Sequence, residues 1–425
     1  MQKEKLFTPY QIFLIAILAF LQFTIILDFM VLSPLGAQLL QEMHISTRQF
    51  GWVVSAYAFS AGAAGLMAAG FADRFDRKRL LLFFYAGFIG GTFLCGIAPN
   101  YYFLLLARIV TGLFGGVIGA VIFAIISDLF PIQVRGRVMG FVQMAFAVSQ
   151  VLGIPIGLYL ANALDWHAPF LLIVWLSLMA FSLIAWKMKP VKAHLDLQAG
   201  HSALAHLHNT LSEPRYLKGF AATTLLATGG FMLMPFGSAF AVHNLGLTLQ
   251  QLPPIYMATG ICAMIAGPLL GRLSDQWGSY RLFVAGSLLS MLIVLVYTNL
   301  GPSSLWLVIF LNITLFVGIT SRMISSSALM SALPAPADRG AFMGINSSVA
   351  QLSGGIASAV AGMIVVQKEG GVLEHYDILG YVVMLSMLIG IGMMLGIHRL
   401  VLERHWEKAP PKHTDQTPVE EVAAG

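Results

Sequence analysis

Charge is scarce in this chain. Of 425 residues only 10% are Asp, Glu, Lys or Arg, against about 25% in an ordinary soluble domain. A soluble protein of this length would need a charged coat that these residues cannot supply, so water is excluded as the solvent for most of the surface. Cysteine is nearly absent as well. Cys95 and Cys262 lie in apolar runs of different segments, which argues against a disulfide framework. No H-E-x-x-H, phosphate-binding P-loop or G-x-S-x-G pattern occurs, so neither ATP as a direct energy source nor a common hydrolase site is expected, and no cofactor is implied. The first apolar run has no small-residue cleavage site behind it and is as long as a full span, which predicts a retained helix and not a removable signal.

What the chain has in quantity is apolar length. Hydrophobic residues make up 58% of it and the mean hydropathy is +0.80. Runs of spanning length predict twelve helices, at 10–34, 49–70, 80–98, 101–128, 138–162, 168–188, 217–242, 252–271, 282–298, 304–328, 341–365 and 377–398. Lipid offers backbone groups no partner, so helices are the default, and the runs lack the alternation of a membrane barrel. With both termini placed in the cytoplasm, 20 of the 24 Lys and Arg fall on the inside, two (Arg48 and Lys368) fall outside, and Arg108 and Arg322 lie within spans. This asymmetry is the positive-inside pattern. The net charge of +5 thus reflects orientation and does not suggest a nucleic-acid partner.

The longest inside connection divides the chain. It gives a first six-helix bundle over 1–188, a central loop over 189–216, a second bundle over 217–398 and a tail over 399–425. His194, His201, His206 and His208 in the central loop lack a carboxylate or cysteine to complete a metal-ligand set. A short amphipathic helix on the membrane surface is the reading preferred there. The two halves also repeat. "AGFADRFDRKRL" at 69–80 aligns with "GRLSDQWGSYRL" at 271–282, and "RGRVMG" at 135–140 with "RGAFMG" at 339–344, at nearly equal offsets. Six helices per half make the copies parallel, a plan that places a transport site between pseudo-symmetric halves at mid-membrane.

Three stretches carry a more specific likeness. "ADRFDRKR" after the second helix, "RIVTGLFGG" from Arg108 and "VLGIPIG" at 151–157 resemble the loop signature, the helix-4 motif and the helix-5 motif of the major facilitator superfamily. In the loop, Ala69 and Asp76 stand where that signature has glycines, and Pro155 lies one place later than in drug exporters. The resemblance implies a secondary transporter of the proton-coupled drug or sugar efflux branch, similar to arabinose-efflux and chloramphenicol-resistance permeases. It would be a monomer in a bacterial inner membrane, with a small organic substrate, protons and lipid as its partners. Uptake or uncoupled passage on the same fold stays open, as does a polytopic enzyme or sensor.

The resemblance assigns roles to particular residues. Asp73, Arg74, Arg77, Asp128 and Asp275 would latch the cytoplasmic side. Gly112, Gly153, Pro155 and Gly157, with the glycines between Gly354 and Gly362, would let helices approach closely, as static packing or as a surface on which the halves rock. Gln22, Gln150, Asn312 and Gln351 are the polar candidates for a substrate cavity. Phe231 and Met234 stand beside Met232 and Phe236 as its adaptable apolar wall.

One carboxylate remains. "FTIILDFMVLSPLG" surrounds Asp28 with apolar residues, at an insertion cost of roughly 2.5–3.5 kcal/mol. Asp28 lies 18 residues above Tyr10, roughly 27 Å at 1.5 Å per residue. Arg108 lies 7 residues below Tyr101, roughly 10 Å, so both are expected in the outer part of the membrane. A structural ion pair is one reading. The other makes Asp28 the proton carrier, because a dry surround favours the neutral acid and a neighbouring guanidinium favours the carboxylate.

Overall fold

The structure, a computed structural model, describes residues 7–71, 75–192, 209–335, 338–368 and 370–408. Twelve of its helices are long and apolar enough to cross a membrane: α1 (Pro9–Val31), α2 (Thr47–Ala68), α3 (Arg77–Cys95), α4 (Tyr101–Leu129), α5 (Val134–Ala163), α6 (Ala168–Lys187), α7 (Pro214–His243), α8 (Leu249–Trp277), α9 (Ser279–Thr298), α10 (Leu305–Ala332), α11 (Arg339–Ile364) and α12 (Tyr376–Leu402). They form an all-α membrane protein of two pseudo-symmetric six-helix bundles. Being even in number, the spans bring the starts of α1 and α7 and the end of α12 to one end of the molecule, called here the terminal end. The opposite end is the far end.

Local signals explain where the helices start. Thr8 and Gln11 form a reciprocal cap before Pro9, so two orphan N–H groups of the first turn are satisfied. Asp76 accepts from the backbone N–H groups of Lys78 at 2.8 Å and Arg79 at 3.4 Å, and Asn100 accepts from Phe103 at 3.0 Å. Between α8 and α9 the whole connection is Gly278, at φ +89°. That left-handed conformation is open to glycine at little cost.

Two spans are interrupted. In α5, Ser149–Gly153 is a wide π turn. Pro155 has no N–H to return to the carbonyl four residues back, and the turn immediately before it absorbs the misfit. In α7, Pro235 lies in a 3-10 turn over Met234–Phe236, and the span resumes at Gly237–His243. A short helix, Gly36–Glu42, follows α1 at the far end. A two-residue β-hairpin pairs Val366–Gln367 with Leu373–Glu374 before α12. None of these breaks follows from hydropathy, which averages over them.

The halves meet mainly along α2 and α11, with a second crossing of α5 and α8. Thr47 Oγ1 donates to the carbonyl of Val365 at 2.6 Å and Ser55 Oγ to that of Gly355 at 2.8 Å. Asn162 Nδ2 donates to the carbonyl of Leu249 at 3.0 Å, and Ser238 Oγ to that of Ser33 at 3.0 Å. Phe50 and Phe236 meet edge to face at 5.8 Å. Among the described residues, every hydrogen bond between the halves lies toward the far end or mid-span. The central-loop histidines His194, His201, His206 and His208 and the tail from residue 409 lie outside the described residues.

Candidate functional site

The first half holds a sealed polar cluster. α1 supplies Asp28 and α4 supplies Arg108, whose exposures are 0% and 1%. Arg108 Nη1 donates to Asp28 Oδ2 at 2.8 Å. Thr92 Oγ1, from α3, donates to Asp28 Oδ1 at 3.1 Å. The Arg108 guanidinium carbon lies 4.5 Å from the centre of the Tyr57 ring of α2, a cation–π contact of the desolvated kind. Four helices thus converge on the Asp28–Arg108 pair. Both Asp28 carboxylate oxygens accept from donors, while Arg108 Nε has no partner.

Small residues make this convergence possible. A side chain on Gly112 would strike Ser60 Oγ and the carbonyl of Tyr57, and a Cβ on Gly91 would come within 2.6 Å of Thr111. α2, α3 and α4 can therefore sit close enough for Tyr57 and Thr92 to reach the pair. Hydropathy did not point to Thr92 or Tyr57. The helix ruler would have found Thr92: it lies 15 residues above Arg77, roughly 22 Å, close to the level of Asp28.

The charged loop after α2 divides. Asp73 and Arg74 lie outside the described residues. Arg77 Nε pairs with Asp128 Oδ2 at 3.0 Å within the first half. Around it, Arg77 N donates to the carbonyl of Val191 at 3.1 Å, Val191 N to Asp76 Oδ1 at 3.3 Å, and Lys78 Nζ to the carbonyl of Met188 at 2.6 Å. The start of α3, the end of α4 and the segment after α6 are tied into one knot. Asp76, which stands at a glycine position of the loop signature, is its N-cap. Asp275 is exposed at the end of α8 and makes no ion pair with a described residue. Arg77→Gln should lower the unfolding free energy by about 1–3 kcal/mol, the cost of leaving a buried polar partner unmade. Thermal unfolding of the purified protein measures it, and an unchanged midpoint would show the knot to be idle.

The helix-5 glycines face inward within their own half. A Cβ on Gly153 would meet Leu27 at 2.6 Å and one on Gly157 would meet Val31 at 3.0 Å, both on α1. The contact of α5 with the other half is instead the wide turn itself, since a Cβ on Gly260 of α8 would lie 2.9 Å from the backbone of Gln150 and Val151. On α11, a Cβ on Gly355 would meet the Phe59 ring at 2.9 Å, and one on Gly362 would lie 2.8 Å from the carbonyl oxygen of Thr47 and 3.1 Å from the Cα of Gly51. Gly355 and Gly362 of α11, Gly51 of α2 and Gly260 of α8 thus stand at close approaches between the halves.

The six cavity candidates come from five helices, α1, α5, α7, α10 and α11. Gln150 is buried in the wide turn. The Phe231 ring lies 5.6 Å from that of Phe29 and against Gly354. Asn312 spends its amide on the carbonyl of Val308, 2.9 Å away in the same helix. Gln22 has a buried Oε1 without a partner, and Met234 and Gln351 are half-buried. No hydrogen bond joins any two of the six. Beside Phe231 and Met234 on α7, Met232 and Phe236 are buried to 1% and 0% exposure.

The sequence profile of the Major Facilitator Superfamily matches residues 18–358. The chain belongs to that superfamily. It is 32% identical, over 63% of its own length and 68% of the relative's, to the MFS-type transporter YceJ of Bacillus subtilis. It is 25% identical to a protein of Helicobacter pylori named "Probable sugar efflux transporter", over 67% of this chain and 70% of that one. Among solved structures, the inward-facing, unoccupied bacterial homologue of the human lysosomal transporter Spinster superposes with a TM-score of 0.76, over 95% of this chain and all of that one, at 15% identity. That likeness concerns the fold. This major facilitator is a multi-pass membrane transporter, not an enzyme.

Proposed function

We propose that this transporter is a proton-coupled antiporter exporting a small organic compound, with Asp28 as the proton carrier and Arg108 as the group that tunes it. One observation carries the reading: among the described residues Asp28 is the fully buried carboxylate of the spans, held by a cation and a hydroxyl. A carboxylate so placed is expensive to insert, and such residues mark ion and proton pathways. In the ion-paired form the proton is absent. Protonation removes the charge that holds α1 to α4 and leaves Arg108 uncompensated, so proton binding favours a different arrangement of the two helices. The Helicobacter pylori relative, by its name, supports export of a sugar-sized compound.

The positive-inside pattern supports a terminal end in the cytoplasm of a bacterial cell. The far end, where the described hydrogen bonds between the halves gather, would then face outside. Alternating access would close the terminal end through Asp73, Arg74, Arg77, Asp128 and Asp275, with the protein working as a monomer. Gln22, Gln150, Phe231, Met234, Asn312 and Gln351 are the residues to test for substrate contact. The burial of the pair also suits a fixed strut between α1 and α4, in a transporter that works without coupling. ΔpH-driven accumulation in inside-out vesicles separates the two, using a drug or sugar first found by ligand stabilisation. Accumulation should vanish when an ionophore collapses ΔpH, and persistence at the same level would end the coupled reading.

A further inference from the structure

The second half carries an arginine with nothing to balance it. Arg322, on α10, is 6% exposed. No carboxylate among the described residues pairs with it, and its Nε has no hydrogen-bond partner. Its one charge-related contact is the Phe283 ring of α9, 5.7 Å from the guanidinium carbon. A buried cation left alone is far more costly than one that is paired.

The hydroxyls around Arg322 are also unspent. Ser287 and Ser290 of α9 and Ser325 of α10 each have a buried Oγ without a partner. α9 and α10 are pressed together here, since a Cβ on Gly286 would lie 3.4 Å from Arg322 Cγ, and Gly318 abuts Ser290. A serine hydroxyl in a membrane helix ordinarily returns to a carbonyl of its own helix, as Ser321 does to that of Val317 at 2.8 Å. Three nearby serines that do not are donors held in reserve. Opposite them α7 presents Gly229, where an added Cβ would stand 3.8 Å from Arg322 Nη1 with no closer neighbour. The helix facing the cation therefore offers a glycine where a side chain could stand in ordinary contact with Arg322 Nη1 and Ser386 Oγ, and it supplies no charge.

We propose that Arg322, with Ser287, Ser290 and Ser325, binds a small monovalent anion inside the second half. A cation with hydroxyl donors and no carboxylate is the chemistry of an anion site. The anion comes either as free halide or as the carboxylate of an organic compound. The proposal stands independently of proton coupling and of the direction of transport.

Thermal unfolding of the full-length protein in a Tris–sulfate buffer at fixed ionic strength tests it, with sodium chloride and sodium benzoate as separate probes. At least one probe should raise the unfolding midpoint saturably, by about 2 °C. A response to chloride alone identifies free halide as the source, and a response to benzoate alone identifies an organic carboxylate. Arg322→Met should abolish the response. Gly229→Asp keeps the assay decisive even if that variant does not fold, because it supplies a built-in carboxylate beside the guanidinium. It should raise the midpoint without added anion and remove the response to both probes. No saturable rise in the wild type, or an undiminished rise in Gly229→Asp, overturns the proposal.

Discussion

Asp28→Asn should yield a folded protein that still binds a neutral ligand and has lost coupling between proton and substrate. The asparagine fills the same volume and keeps an oxygen for Arg108 or Thr92. It cannot exchange a proton near neutral pH, so each turnover would proceed without one. ΔpH-driven accumulation should fall by at least about a hundredfold, because a coupled carrier with no site to protonate retains only leak; the same loss amounts to about 2.7 kcal/mol of driving force. Proton and substrate flux measured together in proteoliposomes decide the matter. An unchanged ratio would make Asp28 a strut. Arg108→Ala leaves the carboxylate buried without its counter-charge, a state expected to cost about 3–5 kcal/mol. Its signature is a lower unfolding midpoint together with impaired coupling.

Gly362→Val should prevent the far end from closing. Even one added carbon there stands 2.8 Å from the carbonyl of Thr47 and 3.1 Å from the Cα of Gly51. Both are backbone atoms, so neither can swing aside. Overpacking of this kind typically costs about 1–3 kcal/mol. Applied to one state of a two-state equilibrium, it shifts the populations by about 5- to 150-fold. Spin labels placed across the far end, on Gln41 and the hairpin before α12, should report longer distances in the variant. Distances equal to wild type would mean that α2 and α11 yield without parting.

The sequence carried the architecture because each span states itself twice, once in apolar length and once in the Lys and Arg at its ends. Asp28 and Arg108 were legible for a related reason: each is a charge among apolar residues, and the rise per residue of a helix sets both at one depth. Their partners were not. Thr92 and Tyr57 are ordinary in composition, and only the close approach at Gly91 and Gly112 makes them neighbours of the pair. The breaks in α5 and α7 were hidden because hydropathy is blind to a prolyl nitrogen. That Gly153 and Gly157 face α1 of their own half depends on which way a helix face points, and composition does not carry that direction.

Across the seam between the halves, four hydrogen bonds run from hydroxyl or amide donors to backbone carbonyls. A carbonyl has two lone pairs, and that of Gly355 sits within α11, where one belongs to the helix. The single hydroxyl proton of Ser55 is shared between the carbonyl of Gly51 in its own helix, at 2.7 Å, and that of Gly355 across the seam, at 2.8 Å. When the halves separate there, neither group is stranded: the hydroxyl retains its home bond and the carbonyl retains its ladder. The contact behaves like a press-stud, firm in number but released without leaving a desolvated orphan on either side. A joint of that kind can open and shut many times with its energy changing little at each cycle, and a seam of buried ion pairs would not allow this.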